Sequence, residues 1–201
     1  MNSKKETNKL LGLDVSTKTI GSALFEYVDD KLHLLELTHI SPQPKIVTDN
    51  KMEELIKKAE LFEDFIVNYK NLNITEVIIE EPLLGSQNVY TVATLLRFNT
   101  LVSKIIYDTL NIVPNYISTS DSRRHAYPQL VRENDKKRFV LFGGFPKDID
   151  KKKVIWEEVC KLEPQIKWPF NRRNVLDKSA YDQSDAYTCV LGWVNMKNKG
   201  I

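Results

Sequence analysis

The chain has 201 residues, 42% hydrophobic and 28% charged, which suits one domain with its own core; a single domain over 1–201 is expected, with 1–8 flexible. No run of about 18 residues is apolar and the first nine residues lack the apolar core of a signal peptide, so no membrane role and no secretion are expected; the expected protein is soluble and cytoplasmic, of a bacterial or phage-infected cell. The net charge of +2 hides an asymmetry: residues 1–110 carry 12 Lys+Arg against 16 Asp+Glu, and 111–201 carry 17 against 11, a balance compatible with a polyanion partner.

Residues 9–15, 20–28 and 31–40 read as three successive strands, with Asp29-Asp30-Lys31 as the second turn. Ser41-Pro42-Gln43-Pro44 breaks that pattern. From about Asn50 to Tyr69 the period becomes helical, with Leu55, Ala59, Phe62, Ile66 and Tyr69 on one face and Asp49 or Asn50 as N-cap. Val77-Ile78-Ile79 reads as a strand buried on both faces, ending in Glu80-Glu81 and stopped by Pro82. A long helix over 87–110 and a fifth strand over 112–117 follow. Beyond Ser118 the pattern loosens: a capped short helix over 120–125, an irregular segment holding Lys136-Lys137-Arg138 and the run 142–146, a helix over 148–162, a loop over 164–177 and a last helix over 181–197. The order β-β-β-α-β-α-β predicts a mixed sheet with helices packed on it. Cys160 and Cys189 are far apart in helical contexts and read as reduced buried thiols, so neither a disulfide nor a zinc site is expected.

Asp14 is a carboxylate deep in an apolar run, where it must be paired, hydrogen-bonded or bound to a metal. Glu80 or Glu81 ends the central strand. Strand neighbours face opposite ways, so one of the two points at the site, and Glu80 is the preferred choice. Asp182 and Asp185 stand at i and i+3 on one face of the last helix. The plain alternative for Asp182 is N-capping, since the macrodipole favours anions there. Hard oxygen ligands without a His/Cys cluster suit Mg²⁺ or Mn²⁺. Two such ions about 3.5–4 Å apart activate a water and stabilise the leaving oxygen in phosphodiester hydrolysis.

Gly12-Leu13-Asp14-Val15-Ser16 with Gly21, Val77-Ile78-Ile79-Glu80 and Asp182-x-x-Asp185-Ala186, in the element order above, resemble the RuvC-like Holliday junction resolvases of the RNase H-like superfamily. The resemblance spans about residues 9–195. It implies an RNase H-like α/β fold whose mixed five-stranded sheet, its first three strands antiparallel, is flanked by helices. It also implies a homodimeric Mg²⁺-dependent endonuclease that nicks two strands of a four-way DNA junction, with Asp14, Glu80, Asp182 and Asp185 as ligands of two ions and no nucleotide cofactor. Lys151, in Asp150-Lys151-Lys152-Lys153, falls where the family carries an active-site lysine; a solvated helix start is the alternative. Arg123, Arg124, Lys152, Lys153, Arg172 and Arg173 are the expected nucleic-acid contacts. The sequence departs from the family in Glu81, in the bulky run 142–146 and in an added basic loop, Asn171-Arg172-Arg173-Asn174.

Trp168 and Phe170 beside that loop read either as base-stacking residues or as loop anchors, and Leu83 and Leu84 as junction-centre or dimer residues. Three other functions are weighed. The first is a superfamily ribonuclease on RNA–DNA hybrid or structured RNA. The second is an ATP-binding protein of the actin or sugar-kinase type, for which Gly12 to Thr17 resembles the first phosphate loop but the second domain is missing. The third is a silent nucleic-acid-binding module, which four acids argue against.

Overall fold

The computed structural model describes residues 7–43, 48–82, 88–131 and 150–200. Pro44, Leu83, Leu84, Gln87, the clusters 136–138 and 142–146 and positions 148–149 therefore lie outside the described residues, as do 1–6 of the segment expected to be flexible. The elements are β1 (Asn8–Val15), β2 (Ile20–Val28), β3 (Lys31–Ile40), α1 (Lys51–Ile66), β4 (Ile74–Glu80), α2 (Val89–Leu110), β5 (Asn115–Ile117), α3 (Thr119–Ala126), α4 (Lys151–Leu162) and α5 (Ser179–Asn198).

One sheet runs β3-β2-β1-β4-β5. The pairs β1/β2 and β2/β3 are antiparallel, while β1/β4 and β4/β5 are parallel. This is the expected α/β architecture. Asp29 and Asp30, at φ 50° and 60°, supply the two left-handed residues that a type I′ turn requires between β2 and β3. Strand β5 is shorter than the expected 112–117 because Pro114 has no N–H to give a ladder, so pairing begins at Asn115.

The period of two sorts the sheet residues between two cores. Leu11, Leu13, Val15, Val77 and Ile79 face α1 and α2 around Phe62 and Phe98; Leu10, Ile78 and Phe25 face α5 and α4 around Tyr187 and Ile155. Each fully buried large side chain contributes roughly 1.5–3 kcal/mol. By the same alternation Asp14 and Glu80 lie on the α5 side: Asp14 is four residues on from Leu10, and Glu80 two on from Ile78. Glu81 is out of phase, and its N–H instead donates to the Ile117 carbonyl at 2.8 Å.

The helix α5 is buried on nearly every side over 183–190, because the sheet, α3 and α4 all pack against it. It lies unusually close to the sheet. A Cβ at Gly12 would run into the Ala186 carbonyl, and one at Gly21 into the Asp182 carbonyl. At its other end Gly192 lets α3 come down onto α5 at Ser122. These two glycines of β1 and β2 set how near the acids of α5 come to Asp14.

Candidate metal centre

Three elements bring acids together at the C-terminal ends of β1 and β4. Asp14 comes from β1, Glu80 from β4 and Asp185 from α5, and each offers a carboxylate oxygen within 4.8 Å of the others. Asp182 sits one turn before Asp185, held by Lys152 at 3.2 Å. It does not cap the helix: Asp177 accepts from Ser179 N at 2.9 Å and from Ser179 Oγ at 2.8 Å. The cleft over these acids measures about 1000 Å³, and Ser16, Lys18, Tyr181 and Lys178 stand on its walls.

The short helix α3 braces two of the acids. Thr119 Oγ1 donates a short hydrogen bond to Glu80 Oε1. One turn on, Arg123 reaches Asp185 Oδ1 at 3.1 Å, with both side chains at least nine-tenths buried. The α3 N-cap is Ser118, whose side chain accepts from Asp121 N at 3.1 Å. From α4, Lys152 reaches Asp185 Oδ2 at 3.5 Å, so its two cationic partners take different oxygens of the same carboxylate.

The expected site residues divide accordingly. Asp14, Glu80 and Asp185 are brought together, with Asp182 at their edge. The lysine that meets the acids is Lys152; Lys151 lines the cleft wall, and burial and the Arg123 charge lower its pKa. Arg123 is turned inward to Asp185 and lines the cleft over the acids. Arg124 pairs with Asp121 on α3. Lys153 extends toward Glu157 at 3.9 Å and is exposed, as are Arg172 and Arg173. Sequence reading did not single out Thr119, Ser16, Lys178 or Tyr181. The signal for Thr119 was its place just after a strand that ends beside β4.

The electrostatics describe a site short of positive charge. Burial pushes Asp14 well above the usual carboxylate range, and Glu80, Asp185 and Asp182 push it further, against Lys152. Glu80 is pushed up to about 7 by burial and by Asp185, against the Thr119 hydrogen bond and the charges of Arg123 and Lys152. Burial raises Asp182 as well, opposed by Lys152. Burial works against a charged Lys152, yet Asp185, Asp14 and Asp182 together outweigh it and hold the ammonium strongly protonated. Four carboxylates face two paired cations, a deficit of two charges when all are ionised. Three convergent hard oxygens with that deficit fit a divalent cation, and the group contains no histidine or cysteine.

No protein-family model and no curated protein matches this chain by sequence. Its fold matches solved structures. Thermus thermophilus RuvC in complex with a Holliday junction substrate superposes with a TM-score of 0.61 at 9% identity, over 96% of each chain. A second structure of that RuvC gives 0.59 at 13% identity, again over 96% of each chain. The yeast mitochondrial Holliday junction resolvase Ydc2 gives 0.62 at 12% identity, over 96% of this chain and 80% of its own. The chain thus has the RuvC-like form of the RNase H-like fold. None of the described helices is long and apolar enough to cross a membrane.

Proposed function

We propose that this chain is a structure-selective DNA endonuclease that resolves four-way junctions by Mg²⁺-dependent phosphodiester hydrolysis. The convergence of Asp14, Glu80 and Asp185 within 4.8 Å carries the reading, and the shared fold with RuvC and Ydc2 supports it. Asp14, Glu80 and Asp185 hold the cations, with Asp182 completing the set at the mouth. Two Mg²⁺ ions, or Mn²⁺ in their place, supply activation of the attacking water and neutralisation of the leaving 3′ oxygen. Thr119 and Arg123 fix the orientation of Glu80 and Asp185, so the ligand oxygens need no rearrangement when substrate arrives. Lys152 neutralises charge developing on the scissile phosphate from the cleft side. The products carry 5′-phosphate and 3′-hydroxyl ends.

Resolution takes a pair of nicks, so a homodimer belongs to the proposal. The exposed apolar first turns of α2, with Val89 at 75%, Tyr90 at 87% and Leu96 at 43% exposure, are the proposed face. Backbone phosphates are met by Arg124, Lys153, Arg172 and Arg173 together with Lys18 and Lys178, so binding weakens steeply with salt.

The purified protein should nick a synthetic four-way junction in Mg²⁺, in preference to linear duplex and RNA–DNA hybrid. Asp14→Asn should abolish nicking and leave junction binding intact. Full activity in Asp14→Asn would overturn the ligand assignment, and preferred cutting of hybrid would move the protein to the ribonuclease class.

A further inference from the structure

The segment 170–176, just ahead of α5, is a tight hairpin. Phe170 bridges to Leu176, Asn171 N donates to the Val175 carbonyl at 2.9 Å, and Asn174 N donates back to the Asn171 carbonyl at 2.9 Å. The Asn171 side chain accepts from Arg173 N at 2.9 Å and Val175 N at 3.1 Å, and Asn174 takes the left-handed φ of 56° at the tip. Its root is pinned on both sides. Trp168, two residues before, packs edge-on against Trp156 with centroids 6.1 Å apart, and Asp177 N donates to the Pro169 carbonyl at 2.9 Å.

The two aromatics of this region therefore have different fates. Trp168 anchors the root to the α4–α5 core, while Phe170 stands 56% exposed, beside Val175 at 57%. All six residues 170–175 are exposed, Arg172 and Arg173 among them. A hairpin held by its own hydrogen bonds that keeps an aromatic face, an aliphatic side chain and two guanidinium groups in solvent satisfies none of them among the described residues. A base face and the phosphates beside it satisfy all of them.

We propose that this hairpin is a DNA-contacting arm, in which Phe170 stacks on a base near the cleavage site and Arg172 and Arg173 grip the phosphates flanking it. The inference rests on the endonuclease reading for the course of the strand. Asp177 closes the hairpin and accepts from Ser179 at the start of α5, and Asp182 lies five residues on, roughly 7.5 Å at the helical rise per residue. Nucleotides are spaced about 3.4 Å per strand, so the hairpin root stands about two nucleotides from the acids. Lys178 and Tyr181 lie between them on the cleft wall and continue the surface. Stacking by Phe170 favours a base freed from its pair, which branch points offer and continuous duplex does not.

The test uses four-way junctions carrying 2-aminopurine at each of the first four positions from the crossover, with nicking suppressed by Asp14→Asn or by Ca²⁺ in place of Mg²⁺. Wild-type binding should change the fluorescence at one or two positions, and Phe170→Ala should abolish that change and weaken junction binding about tenfold or more while leaving duplex binding nearly unchanged. Arg172→Ala/Arg173→Ala should reduce the salt slope of log K by about 1.8, from roughly 0.9 per lost phosphate contact. All three side chains are exposed, so melting temperatures should not move. Unchanged fluorescence, affinity and salt slope in these variants would overturn the proposal while leaving the nuclease reading intact. If the wild type cuts no DNA but the variants lose binding as described, the arm stands and the nuclease reading falls. A wild type that binds no junction removes both.

Discussion

Arg123 Nη2 lies 3.1 Å from Asp185 Oδ1, and the pair is buried where α3 crosses α5. A guanidinium inside a protein is kept only with a partner that answers its charge, and here the partner is one of the acids of the candidate metal centre. Removing one member of such a pair strands the other. Arg123→Met should therefore cost about 3–5 kcal/mol of stability, read from urea unfolding, whereas Arg123→Met combined with Asp185→Asn should recover part of that loss. A cost below about 1 kcal/mol would mean that Arg123 is a surface cation after all.

Gly21 faces the Asp182 carbonyl so closely that a single methyl group has no room. The obstacle is backbone, which cannot swing aside like a side-chain tip. Gly21→Ala should shift the start of α5 away from β2, cost about 1–3 kcal/mol, and lower nicking by more than the stability loss accounts for, because a displacement near 1 Å at the acids is worth about 10²-fold in rate. Melting and single-turnover cutting together test this. A fully active, fully stable variant would mean that α5 position does not govern the site.

The sequence pattern reached the sheet and the acids for one reason: both follow a local period. Leu10 and Asp14, and Ile78 and Glu80, lie on one strand face by counting in twos, and the same count separates Glu80 from Glu81. Asp182 and Asp185 share a helix face by counting in threes. Local periods do not say which side of a helix start meets another element, so they could not show that Lys152 is the lysine that reaches Asp182 and Asp185 while Lys151 lines the cleft wall. Nor did they show that Arg123 turns inward, since that depends on α3 docking on α5 where Gly192 meets Ser122, a contact 70 residues apart in the chain. The anchoring of Trp168 against the exposure of Phe170 was likewise decided by a partner, Trp156, on another helix.

Protonation supplies a third test. Asp14 and Glu80 bind protons more tightly folded than unfolded, Glu80 with a pKa of about 7 against an ordinary 4.5. Their contribution is therefore fully present below the unfolded value and is lost as pH rises through the folded one. The metal-free protein should lose stability from roughly pH 5 to pH 8 through these groups, and Mg²⁺, which needs the ionised carboxylates, should raise the melting temperature more at pH 8 than at pH 5.5. His125 works in the opposite direction, because burial and Arg124 lower its pKa and its protonation penalises the fold as pH falls. The comparison with Asp14→Asn separates the two: the variant should keep the His125 part and show a weaker Mg²⁺ effect. Equal Mg²⁺ shifts at both pH values would count against metal binding by these acids.

The two neighbouring lysines of α4 give the sharpest discrimination. Lys152 sits 3.2 Å from Asp182 and 3.5 Å from Asp185, so it would compete with any cation for those carboxylates, while the proposed mechanism also has it serve the phosphate. Lys152→Met should split the two roles. Its loss deepens the negative deficit, so half-saturation should come at lower Mg²⁺, while maximal nicking falls about 10²-fold for want of a donor to the developing charge. Lys151→Met should change both by less than tenfold, because Lys151 makes its approach at the cleft wall. Nicking at a series of Mg²⁺ concentrations reads both quantities from one experiment. The reverse pattern, with Lys151 controlling the rate, would place the working ammonium one residue earlier and remove Lys152 from the chemistry.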